Sequence, residues 1–156
     1  MATQWTAQGI SSGAVLPAAT LSSIGAAWET YTPALTASTT NPTLGTGSSA
    51  TGRYGQVNKI VCGQGQITFG TAGVSAGSGF YYVSLPITAQ ASGKVIGQFQ
   101  FLDSSASATY IGTLISDTTT RALMYYNNPS SVATNIAPFT WAASDFIRYT
   151  FQYEAA

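Results

Sequence analysis

The stretch RYGQVNKIVCGQGQITF, residues 53–69, decides the fold. Glycine and glutamine alternate there with β-branched and aromatic residues, so it reads as extended chain and not as helix. It is either two strands meeting at Asn58-Lys59 or one long bent strand. Cys62 falls inside the alternation and is expected as a small buried hydrophobe.

Working outward, the downstream chain repeats the pattern. GFYYVSLPI follows a Gly-Ser turn and stops at Pro86, and KVIGQFQFLD alternates Val95, Gly97, Phe99 and Phe101 against Ile96, Gln98 and Gln100. TYIGTLIS and RALMYYN flank DTTT as a hairpin, and DFIRYTFQYE sets Ile147, Tyr149, Phe151 and Tyr153 opposite Arg148, Thr150 and Gln152. Short strands at this spacing predict an all-β domain, an antiparallel β-sandwich or jelly roll, over residues 29–156. The Gly-rich GTAGVSAGSG lacks the spacing of a phosphate loop and reads as a connection between strands.

Upstream, Thr30 to Gly52 holds eight threonines, two prolines and no charge. ETYTPALTAS is expected as one half-buried strand that Pro33 confines to an edge or bulge, and TTNPTLGTGSSATG as a loop. Residues 1–28 form a separate unit: an irregular arm carrying Trp5, then one short helix over LPAATLSSIGAAW. Pro17 suits its first turn, and Leu21, Ile24 and Trp28 make a single apolar stripe. A helix this short is marginal alone, so Trp5, Leu21, Ile24 and Trp28 are the candidate assembly anchor.

Charge is the compositional anomaly. Only 6% of the 156 residues are charged, five basic against five acidic, with no histidine; soluble domains usually carry about a quarter. Five dispersed bases make no patch for nucleic acid or for an anionic membrane surface. No apolar run reaches the length of a membrane span, and the first twenty residues do not read as a signal peptide. An uncharged surface of Ser, Thr, Gln and Asn suits a chain held in an assembly.

Catalytic constellations are scarce. Without histidine there is no Ser-His-Asp or Cys-His arrangement, and one cysteine makes neither a disulfide nor a zinc site. No cofactor or metal is implied. A two-carboxylate glycosidase is compatible with acids drawn from distant strands and stands as the enzyme reading. The doublets Tyr81-Tyr82 and Tyr125-Tyr126 should place one ring on each face of their strands. Tyr82, Tyr126 and Trp141 are therefore the aromatics expected outside the core, at a subunit contact or stacked on sugar.

Several pieces in order carry a family resemblance: Trp28-x-x-Tyr31-Thr32-Pro33, Asn41-Pro42-Thr43-Leu44-Gly45, Gly52-Arg53-Tyr54, Lys59-x-Val61, Val83-Ser84-Leu85-Pro86 and Tyr153-Glu154-Ala155-Ala156. Over about Ile24 to Ala156 the chain resembles a β-rich domain of bacteriophage virion proteins, found in minor tail proteins and tail fibres, particularly of actinobacterial phages. The resemblance implies a non-enzymatic structural protein, a homotrimer, and other virion proteins as partners. With a short lead-in and no stalk, the expectation is a surface knob decorating the capsid, bound to the major capsid protein through its N-terminal segment. The alternative is a minor tail or tail-tip protein that contacts the host surface, with glycan as a ligand.

Overall fold

The computed structural model describes residues 27–126 and 131–156. The arm with Trp5, and most of the expected helix with Leu21 and Ile24, lie outside the described residues; Ala27 and Trp28, its expected end, are not helical. Those described form nine strands: β1 Glu29–Tyr31, β2 Leu35–Ala37, β3 Ser49–Val57, β4 Ile60–Thr68, β5 Tyr81–Ser84, β6 Val95–Asp103, β7 Ala108–Ser116, β8 Arg121–Tyr126 and β9 Phe146–Glu154. The all-β class is as expected. Among the described residues no helix is long and apolar enough to cross a membrane.

All nine strands belong to one antiparallel sheet, in the order β1-β3-β4-β9-β6-β7-β8-β5-β2. The expected division into two facing sheets is replaced by this single curled half-barrel. The curl follows from the edges. β1 and β2 are opposite ends of the sheet, yet only Thr32, Pro33 and Ala34 separate them. Four residue steps of extended chain span at most about 14 Å. Nine strands laid flat at about 4.8 Å spacing would hold the edges roughly 38 Å apart. The single strand expected over residues 29–38 is thus split at Pro33, which has no N–H to offer a ladder. Ala34 restarts the pairing by exchanging bonds with Ser84: its N–H reaches the Ser84 hydroxyl at 2.9 Å, and its carbonyl takes the Ser84 N–H at 3.0 Å.

Residues 53–69 prove to be two strands, β3 and β4, turning at Asn58 in the left-handed region (φ 54°). That hairpin does not stop at its base. The segments expected as loops pair with each other in the register of β2 and β5, Thr40 opposite Ser78, Thr43 opposite Ser75 and Thr46 opposite Ala72. Thr43 and Ser75 exchange both backbone bonds at 2.9 Å. The contacts recur every third residue, and small residues make them. A Cβ on Gly77 would sit 2.2 Å from the Thr40 carbonyl oxygen, and Gly77 has φ 63°; only glycine fits such an approach. Residues 35–57 and 60–83 therefore form one long hairpin, bent so that its tip lies beside β9 and its base beside β8.

The core packs on one face of the sheet around Trp141. Phe69, Tyr81, Phe101 and Phe139 surround its ring at centroid distances of 5.3, 5.6, 4.9 and 4.5 Å. Its indole N–H donates to the Thr134 carbonyl at 3.0 Å, so the buried polar handle is satisfied. Elsewhere on this face aromatic rings lie across glycines of the next strand. Added Cβ atoms on Gly65 and Gly63 would meet Tyr149 and Phe151 at 2.4 Å.

Candidate functional site

β9 is the middle of the polar face, and its outward side chains include Arg148 and Thr150. On one side β4 places Gln66 beside Arg148 and Gln64 beside Thr150. On the other side β6 places Gln100 beside Arg148 and Gln98 beside Thr150. Strand parity makes this happen: two Gln-x-Gln units, Gln64-Gly65-Gln66 and Gln98-Phe99-Gln100, both turn their glutamines outward. Four primary amides thus frame one arginine and one threonine.

These residues form the floor of a trough of about 1090 Å³ that crosses β3, β4, β9, β6, β7 and β8. Thr51 and Arg53 close it on the β3 side, and Ile111, Thr113 and Tyr125 on the side of β7 and β8. Arg148 is held in place: its Nε–H donates to the Gln66 side-chain oxygen at 2.9 Å, and its guanidinium lies 4.2 Å from the centre of the Phe146 ring. Arg53 lies 5.9 Å from the centre of the Trp28 ring. The trough lining contains two of the chain's five bases and none of its five acids.

The aromatics singled out from sequence are mostly placed otherwise. Trp141 is 3% exposed and is the centre of the core, not a surface platform. Its segment carries no strand periodicity, so the sequence holds no parity from which to read its direction. Tyr82 does point away from Tyr81, but it is 6% exposed because the Arg121 guanidinium covers it at 3.9 Å, itself bonded to Asp117 at 2.7 Å. Tyr126 is half-buried: it packs against the core opposite Gly112 and also lines the trough, beside Tyr125 in the outward row. Cys62 is exposed on the polar face, because Val61 and Gly63 take the inward positions of β4. Trp28 is half exposed, at 50%.

The acids nearest each other in role are Asp103 and Asp145, and both act on backbone. One Asp103 oxygen accepts the Ser105 hydroxyl at 2.7 Å and the Ser105 and Ala106 N–H groups at 3.0 and 3.1 Å; these bonds hold its carboxyl below the usual range. Asp145 is buried and takes the Ser104 N–H at 2.9 Å on one oxygen and the Ala142 N–H at 2.7 Å on the other. Burial raises its carboxyl, against the lowering by those two amides and with a small push from Asp103. A pair pushed apart in this way resembles an acid/base couple. Here both Asp145 oxygens are engaged and the side chain is 1% exposed, which makes it a loop tie.

Comparison of the chain with protein-family models, curated proteins and solved structures returned no match.

Proposed function

We propose that this chain is a non-enzymatic structural protein of a bacteriophage virion, a surface knob that decorates the capsid. Its partners are further copies of itself, as a homotrimer, and the major capsid protein, and its N-terminal segment makes the attachment. The observation that carries the reading is Trp28. Trp141 fills the core, whereas Trp28 stands half exposed where the chain enters the sheet, one residue before β1. It follows Ile24 of the candidate anchor by four residues in sequence and offers the kind of large aromatic that dominates protein contacts. The low charge of the chain and its resemblance to phage surface domains support the same reading. Cryo-electron microscopy of virions assembled with and without the chain tests it. Loss of density over the head lattice is expected; unchanged particles would overturn the virion assignment.

The trough favours a second reading, a minor tail or tail-tip protein that contacts the host surface. Its lining of glutamines, threonines and two arginines supplies hydrogen-bonding groups for a host-surface ligand. Density lost at the tail in the same micrographs would select this reading over capsid decoration.

A further inference from the structure

The geometry points to the trough on the polar face as a binding site for an extended acidic polysaccharide, a chain of sugar rings bearing carboxylates. The inference stands on the trough alone and holds for either position on a virion.

Shape comes first. Six neighbouring strands at about 4.8 Å spacing give the trough roughly 24 Å of width across the sheet. That accommodates several rings in a row and is too long for one monosaccharide. Hydrogen bonding comes next. Gln64, Gln98 and Gln100 present amides that both donate and accept, Gln66 is engaged by Arg148 and Thr68, and Thr51, Thr113 and Thr150 add hydroxyls that do the same. A sugar hydroxyl is also donor and acceptor at once, so a floor of this kind pairs with it whichever way it points. The exposed Ile111 (65%) and the half-buried Tyr125 supply apolar contact for the C–H faces of the rings.

Charge selects acidic sugars. Arg53 and Arg148 lie in the lining and no acid does. Arg148 is fixed by Gln66 and Phe146 before any ligand arrives, so a carboxylate meets a placed fork at little ordering cost. Two other occupants fit less well. A nucleic acid carries a phosphate at every residue and needs many more bases than two. A peptide strand adds to a sheet edge, but β4, β9 and β6 have both edges paired and offer only their faces.

The test is an array of purified neutral and acidic bacterial polysaccharides, probed with the labelled full-length chain. Binding to uronate-bearing features is expected, weakening as salt rises. The double variant Gln64→Ala, Gln98→Ala should lose about tenfold or more in affinity, since two or more hydrogen bonds go. Thr150→Asp sets a negative charge among the four glutamines and should abolish binding. All three positions are exposed, so melting at the wild-type temperature shows that each variant is folded. Binding to no feature, binding to neutral features only, or unchanged binding by either folded variant would overturn the proposal. None of these outcomes bears on where the chain sits on a virion.

Discussion

At the scale of single residues, glycine and aromatic positions are complementary. Phe99, Tyr149 and Phe151 lie flat because Gly112, Gly65 and Gly63 leave room beside them. Gly97 is tighter still: a Cβ there would stand 1.9 Å from the Thr150 carbonyl oxygen, which is backbone and cannot rotate away. Gly97→Ala should therefore cost roughly 1–3 kcal/mol or more, read as a lower urea midpoint at unchanged slope. Trp141→Ala should cost about 3–5 kcal/mol, because it empties the centre of the core. A small loss at Trp141 would instead support the surface role first expected of it. Alternation was legible where strands are long and their two faces differ, as in β9 with Ile147, Tyr149, Phe151 and Tyr153 inward. Direction was not legible for Tyr82, whose burial depends on Arg121, distant in sequence and adjacent in the sheet. The repeated Gln-x-Gln was a visible signal of the site. Its meaning needed the pairing of β4 and β6 on either side of β9, and nothing local encodes that.

At the scale of elements, the bent hairpin is the main departure from expectation. Its middle has the composition of a loop, Asn-Pro and Gly-Ser, and pairs all the same, because a threonine every third residue meets serine or alanine across glycine-permitted close approaches. The amides of Thr43 and Ser75 should exchange with deuterium slowly, as ladder amides do and loop amides do not. Exchange at the rate of open chain would show that the paired ribbon does not form in solution. Asp145 holds the other long connection. Asp145→Ala orphans the Ser104 and Ala142 N–H groups and should cost about 1–3 kcal/mol, measurable by thermal or chemical unfolding. The strands from β4 to β9, the DTTT turn and the all-β class followed from local pattern, and the Asn58-Lys59 turn was one of two readings of residues 53–69. The pairing of residues 38–47 with residues 71–80 did not, since partners that far apart share no period.

At the scale of the whole molecule, buried phenols set an alkaline limit. Burial pushes Tyr31 and Tyr153 each up to about 12 and Tyr149 beyond, and the Tyr31 and Tyr149 hydroxyls share a bond of 3.0 Å. A raised phenol favours the protonated form in the fold, so its contribution is complete below the unfolded value near 10. Stability should fall as pH climbs from about 10 towards 12, with the phenolates of these three rings appearing together with unfolding. Tyr31, Tyr149 or Tyr153 titrating near 10 with the fold intact would contradict this. A different consequence follows from the sheet order. β9 is ninth along the chain but lies inside the sheet, between β4 and β6. A ribosome therefore delivers the strands on both sides of that position first, and their facing edges stay open until residues 146–154 emerge. A chain stopped before Phe146 should expose two unpaired nine-residue edges and aggregate, seen as sedimenting material. In the cell, the interval between making β6 and making β9 is when this protein most needs a chaperone.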